Sequence, residues 1–113
     1  MKQELKTLID KLDKISSLDE VKILFSHYHP ILKEDEIIFI LEHFLMDKYS
    51  IHFCHICNCE KRIFWISYIF KGIGDKTKIL REYDNMIFFS SGYDLANFVI
   101  DELSNILKGD LNE

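Results

Sequence analysis

The sequence predicts an α+β protein with N-terminal helices, an antiparallel three- to four-stranded β-meander and a C-terminal helix packed on the sheet. Apolar residues recur at helical spacing before residue 48 and after residue 92. Between them, residues 49–71 hold two runs rich in Ile, Phe, Tyr and Trp, the residue types that favour strands. Strands grouped between helices indicate α+β rather than alternating α/β. A chain of 113 residues with 48% hydrophobic content predicts a single domain over residues 1–113.

Three helices are predicted ahead of the strands. Residues 2–15 place Leu and Ile on one stripe, with Lys and Asp opposite. Ser17 followed three residues later by Glu20 is a capping-box signature for a second helix at about 18–28, which Pro30 ends. A third helix at about 34–47 has an acidic first turn and is apolar around most of its circumference, which predicts burial. Residues 37–41 are also compatible with a strand.

The centre of the chain is predicted to be a hairpin of strands 51–57 and 62–70, joined by a polar corner at 58–61. This turn would pair residue 53 with 66, 54 with 65 and 55 with 64. The second strand is apolar on both faces, and such a strand needs cover on both sides. Simple alternation puts Phe64, Ile66, Tyr68 and Phe70 on one face and Ile63, Trp65 and Ile69 on the other.

The remaining elements follow a loop at residues 72–76. We predict a third strand at 78–83, a turn at 84–85, a fourth short strand at 86–89 and a helix at 93–107, capped by Ser91 and Asp94. The last helix and the third helix should cover one face of the sheet. The first two helices either cover the other face or extend the helical layer.

Charge is distributed unevenly along the chain. The net charge is −5, with −4 in residues 1–60 and −6 in residues 82–113. Residues 61–81 carry six basic side chains against Asp75 alone, a net charge of +5. The chain has no apolar run long enough for a membrane span and no signal-peptide pattern at its start, so we expect a cytoplasmic protein with reduced cysteines and no membrane partner.

Five Cys and His residues crowd into eight positions, His52 to Cys59, and form the strongest chemical signal in the sequence. Zinc requires about four such ligands in a tetrahedron. Strand alternation separates His52 and Cys54 from His55, Cys57 and Cys59, so a complete site would need a histidine from the helices. We therefore expect no metal and no other cofactor. If this expectation is wrong, the ligands are His52, Cys54, Cys57 and Cys59.

No catalytic constellation is evident in the sequence, and we expect a protein that is not an enzyme. The candidates for acid–base chemistry are His27 with His29, and Glu42 with His43. Each pair is explained more simply by a helix end or a polar helix face. No nucleophile stands beside a base in a recognisable motif.

The predicted function is therefore that of a small acidic module that binds another protein, or a second copy of itself, without catalysis. Its role would be that of an inhibitor, an immunity or anti-defence type factor, or a small subunit. A partner-binding surface is expected on the hairpin, at Phe64, Ile66, Tyr68, Phe70, Lys76 and Lys78. Two alternatives stay open: a single-stranded nucleic-acid binder that uses aromatic and basic side chains of the sheet, and a Cys/His metal-binding regulator.

Overall fold

A computed structural model describes residues 3–15, 17–73 and 75–111 of the chain. Within these residues it has the predicted α+β class. Helices precede and follow, in chain order, the strands of a three-stranded antiparallel sheet. The elements in chain order are α1 (Gln3–Leu12), α2 (Leu18–Tyr28), a single 3-10 turn (His29–Ile31), α3 (Glu34–Tyr49), β1 (Ile51–Asn58), β2 (Ile63–Ile73), β3 (Lys76–Phe89) and α4 (Gly92–Leu111).

The N-terminal helices form where their apolar periodicity predicts. Helix α1 buries Leu5, Leu8 and Leu12 on one stripe. The Ser17 hydroxyl accepts a hydrogen bond from the Glu20 N–H at 3.3 Å, which confirms the predicted cap of α2. Both helices pack within the helical layer, α1 against α2 and α2 against α4, so they extend that layer and do not cross to the far face of the sheet.

Helix α3 is a helix throughout, including residues 37–41, for which a strand was the alternative. The Glu36 carboxylate accepts from the Lys33 N–H at 2.8 Å, which closes a capping box at its start. It ends at Ser50, whose left-handed backbone (φ 56°) reverses the chain into β1. Burial is less complete than expected, because Phe39 and Met46 are 50% and 42% exposed.

The prediction of separate third and fourth strands is wrong. Strand β3 runs unbroken for 14 residues beside β2, in the sheet order β1-β2-β3. Glu82 lies opposite Tyr68 and Ile87 lies opposite Ile66, so residues 83–86 bulge out against a single residue of β2, and the predicted turn at 84–85 lies within this bulge. Because β2 is itself 11 residues long, residues 87–89 pair with its first half and need no new neighbour.

The β1–β2 turn is shifted from its predicted place. It spans residues 59–62, where the Lys61 N–H donates to the Asn58 side chain at 3.1 Å and Arg62 adopts a left-handed backbone (φ 54°). The register is displaced accordingly, so that His55 pairs with Ile66 rather than with Phe64. At the other end of β2, a Cβ on Gly72 (φ +157°) would lie 2.1 Å from the Lys76 carbonyl oxygen, so the close approach of β3 requires glycine there.

Helices α3 and α4 cover one face of the sheet, as expected, and enclose the core. Helix α4 contributes the most buried row, formed by Leu95, Ala96, Val99, Ile100 and Leu103. The Glu34 carboxylate, at the start of α3, accepts from the N–H groups of Gly92 and Tyr93 and thereby ties the two helix starts together. None of the described helices combines the length and apolar character needed to span a membrane.

Candidate protein-binding surface

A bulge at Ser67 determines which side chains of β2 face away from the helices. Cys54 pairs with Tyr68 and His55 pairs with Ile66, so Ser67 has no partner on β1, and its hydroxyl donates to the Cys54 carbonyl at 3.2 Å. One extra residue reverses the alternation beyond it. Tyr68 and Phe70 therefore share a face with Trp65, whereas Phe64, Ile66 and Ile69 are all 0% exposed on the helix side. The predicted separation of Trp65 from Tyr68 is wrong for this reason.

The side of the sheet opposite the helices is here called the outer face. The strand registers assign twelve side chains to it: His52, Cys54, Ile56 and Asn58 of β1, Ile63, Trp65, Tyr68 and Phe70 of β2, and Thr77, Ile79, Glu82 and Phe88 of β3. Ile56, Ile79 and Phe88 are 51%, 54% and 54% exposed, values that leave no room for a covering element over them. Glu82 is the single Asp, Glu, Lys or Arg in this set.

The aromatic side chains of the outer face contact one another in two groups. The Trp65 ring meets the Phe88 ring edge-on, with centroids 6.2 Å apart. Phe70 stacks on His52 at 5.0 Å and contacts Tyr68 at 5.6 Å. Such ring pairs restrict side-chain motion before any partner arrives, which lowers the entropy lost on binding. A hydrogen bond with the Cys54 thiol raises the pKa of Tyr68 above its ordinary value.

Basic side chains lie at the margins of the outer face and outside it. Lys61 and Arg62 occupy the exposed β1–β2 turn at one end of the sheet. At the other end, Lys76 and Lys78 are exposed. Lys78 pairs with Lys71, and this pair is next to the outer-face pair Phe70 and Ile79, so its side chains point to the opposite face. By register these lysines project toward the helix side, beyond the helical cover. Lys76 and Lys78 therefore do not lie on the same side of the sheet as the aromatic side chains of the outer face.

The predicted partner-binding residues are thus divided by the fold. Tyr68 and Phe70 lie on the outer face, half-buried and next to each other. Lys76 and Lys78 are exposed near it but on the other side of the sheet. Phe64 and Ile66 are completely buried under the helices, so they support the surface from below and are not available to a partner.

The Cys/His cluster is separated by β1 as strand alternation predicts. His52 and Cys54 belong to the outer face, while Cys57 and His55 point to the helix side. The Cys57 and Cys59 sulfurs lie 3.6 Å apart. Within the described ranges, no three or more His, Cys, Asp or Glu side chains converge in a way that could hold a metal ion. His27 and His43 are exposed on α2 and α3, and His29 stacks on Tyr93 with ring centroids 4.0 Å apart.

Burial controls the chemistry of the one half-buried thiol. Desolvation, together with the adjacent Cys59 sulfur, raises the pKa of Cys57 to about 12. A thiol with so high a pKa is almost entirely protonated near pH 7 and is a poor nucleophile or metal ligand in that form. Cys54 and Cys59 are exposed.

Sequence reasoning missed two features of this region. One is the contact between the Glu42 carboxylate on α3 and Nε2 of His55, which joins the helix to the middle of β1 across 13 positions. No local pattern announces such a pair. The other is the outward placement of Ile56, Ile79 and Phe88. A strict in–out alternation along β1, with residues 51, 53, 55 and 57 inward, would have revealed Ile56.

Comparison of the chain with protein-family models, with curated proteins and with solved structures finds no match in any of the three.

Proposed function

We propose that this protein is a non-catalytic protein-binding module whose docking surface is the outer face of its sheet. The observation that carries the proposal is the combination of exposed apolar side chains with a single charged side chain, Glu82, among the paired residues of the outer face. Exposed apolar patches beyond a few hundred Å² usually mark interaction sites. The cores of protein–protein interfaces are depleted in charged residues and enriched in Trp, Tyr, Phe and Met.

The composition of the outer face favours a protein partner over a nucleic acid. Stacking of unpaired bases requires aromatic side chains beside Lys or Arg on the same surface, so that the phosphates are neutralised as the bases stack. Here Lys76 and Lys78 lie on the side of the sheet away from Tyr68 and Phe70. The charged side chain that does share the aromatic face, Glu82, would repel phosphate.

Charge at the two ends of the sheet describes the partner further. Lys61 and Arg62 border the outer face at one end, and the β2–β3 end is also basic. A partner with an apolar patch flanked by acidic side chains complements this arrangement, and such complementarity speeds association and sets orientation. A second copy does not fit here, because stacking two outer faces would bring like charges together at the rim. An inhibitor, an immunity or anti-defence type factor, or a small subunit would all use such a surface.

Site-specific photo-crosslinking tests this proposal. A photoreactive residue at Phe88 (54% exposed, outer face) should give a defined adduct in lysate of the native host, identified by mass spectrometry. The matched control is Ile23 on α2, which is 58% exposed but lies outside the outer face. Adducts of equal yield and identity at both positions would contradict a dedicated surface.

Affinity measurements with the purified partner complete the test. Phe88→Glu and Tyr68→Glu should each weaken binding by about 30-fold or more, the effect of removing one interface hot spot. Ile23→Glu should leave binding unchanged. Circular dichroism should show all three variants folded. If the two outer-face variants are folded and still bind like wild type, the outer face is not the docking surface.

A further inference from the structure

The two edges of the sheet differ in how they are protected. In the described part of the chain, β1 and β3 each have one strand neighbour, β2. Strand β3 carries five charged side chains and two register irregularities, features that block pairing with a further strand. Strand β1, with the sequence IHFCHICN, has no Asp, Glu, Lys, Arg or Pro. Its edge is therefore open to pairing, whereas the β3 edge is not.

Hydrogen bonds to β2 show which main-chain groups of β1 point toward β2 and which point toward the open edge of the sheet. The Ser50 carbonyl accepts from the Gly72 N–H, and the Cys54 carbonyl accepts from the Ser67 hydroxyl. Backbone polar groups alternate in direction along a strand. The N–H and C=O groups of residues 50, 52, 54 and 56 therefore point toward β2. The N–H and C=O groups of residues 51, 53, 55 and 57 point to the open edge.

Helix α3 presents a second exposed apolar feature beside this edge. Phe39 and Met46, with His43 between them at helical spacing, form an exposed strip in which the Phe39 and His43 rings are in contact at 4.3 Å. A cleft of about 290 Å³ separates this strip from β1, and it is lined by Glu42, His43, Met46, His52 and Phe53. The open strand edge and the apolar strip thus border one groove.

We propose that the groove and the β1 edge are occupied by a second copy of this chain. The two β1 strands pair antiparallel across a two-fold axis and join the two sheets into one six-stranded sheet, with the α3 strips facing each other beneath it. An uncharged strand can pair with its own copy without like-charge repulsion. This surface adjoins the outer face and shares His52 and Cys54 with it, and the dimer leaves the outer-face side chains of β2 and β3 free.

Backbone direction limits the register of the paired strands. A residue whose N–H and C=O point to the open edge must lie opposite a residue of the second copy whose N–H and C=O also point there. The two-fold axis therefore passes between two copies of the same residue and not between two different positions. Near the middle of β1 this leaves Cys54 or His55. Centring on His55 would oppose two imidazoles that already contact Glu42. Centring on Cys54 places the two exposed Cys54 thiols across from each other in a non-hydrogen-bonded pair, with Phe53 opposite His55 of the second copy.

Thiol crosslinking at equilibrium tests this register. A variant with Cys57→Ser and Cys59→Ser keeps Cys54 alone, and a short bismaleimide should convert it to a covalent dimer on a denaturing gel. The matched control keeps Cys59 alone, at the exposed turn, and should stay monomeric. Light scattering of the untreated wild type should give twice the 13.5 kDa chain mass at micromolar concentration. A monomeric mass up to 100 micromolar, or crosslinking equal to that of the control, would overturn the proposal.

Charge placed on the edge supplies an independent readout. Cys54→Lys sets two ammonium groups against each other at the axis and should raise the dimer dissociation constant more than about tenfold, because like charges brought together disfavour association. Thr77→Lys adds the same charge at an exposed position on the β3 edge and should leave the constant unchanged. Equal effects of the two substitutions would contradict pairing through β1. Because Cys54 also pairs with Tyr68 on the outer face, Cys54→Lys is read only through the dimer dissociation constant, and partner binding is tested separately with Phe88→Glu.

Discussion

Truncation of Ile69 tests the bulge that defines the outer face. Ile69 is 0% exposed, and Ile69→Ala removes three carbon atoms from beneath α4 and α3. Transfer of those groups to water costs about 0.8 kcal/mol each, about 2.4 kcal/mol in all, and an unfilled cavity adds to this. We expect the free energy of unfolding to fall by about 2.5–4 kcal/mol.

Ile79→Ala is the matched comparison, because it removes the same three carbons from a side chain that is 54% exposed on the outer face. Less than half of the transfer free energy is at stake, and no closed cavity forms. The expected loss is about 1 kcal/mol.

Urea denaturation followed by far-UV circular dichroism measures both values, at a protein concentration low enough to keep the chain monomeric. If Ile69→Ala costs no more than Ile79→Ala, Ile69 does not face the helices. The alternation through Ser67 would then be regular, and Tyr68 would belong to the core. That result would remove the basis of the proposed docking surface.

Four further predictions follow from individual contacts. Leu103→Ala should lower the free energy of unfolding by about 2–4 kcal/mol, and a loss below about 0.5 kcal/mol would place α4 at the periphery. Because the pKa of Cys57 is raised to about 12, less thiolate is present at pH 8 than at a free thiol, so iodoacetamide should modify Cys57 more slowly than the exposed Cys59 in the folded protein and at a similar rate in urea. Single-stranded RNA should show no salt-sensitive binding at micromolar concentration. If binding does occur and the double substitution Lys76→Glu, Lys78→Glu abolishes it, the nucleic-acid alternative regains support. Elemental analysis of protein purified without chelator should find well under one equivalent of zinc, and a full equivalent would favour the metal-binding regulator.

Local signals in the sequence were sufficient to predict the class, the order of the helices and of the first two strands, and most of their positions. The caps at Ser17 and Ser91 act over three residues, and the structure contains both. Apolar periodicity located all four described helices and both strands of the central hairpin to within a few residues. These features depend on residues that are close together in the chain, so the sequence is enough to predict them.

The candidate surface depended on contacts that are distant in the chain. Alternation assigns strand faces correctly only until a bulge intervenes, and a single Ser within an apolar run does not by itself predict where a bulge lies. At Ser67 the register of β2 is irregular against both of its neighbours, β1 and β3, which lie far from it in the chain. One extra residue reverses every face beyond it, so Ile69, and not Tyr68 and Phe70 as predicted, shares a face with Phe64 and Ile66.

The layering of the helices was also decided by tertiary packing. The stripes of α1 and α2 are compatible with covering the sheet or with covering other helices, since an apolar helix face packs against either kind of element. Helix α4, held at its start by the Glu34 carboxylate, occupies the sheet face together with α3 and leaves α1 and α2 to pack on the helical side. The outer face is therefore exposed because the helices all lie on the other side of the sheet. This arrangement depends on side-chain packing between distant parts of the chain, and no local sequence pattern predicts it.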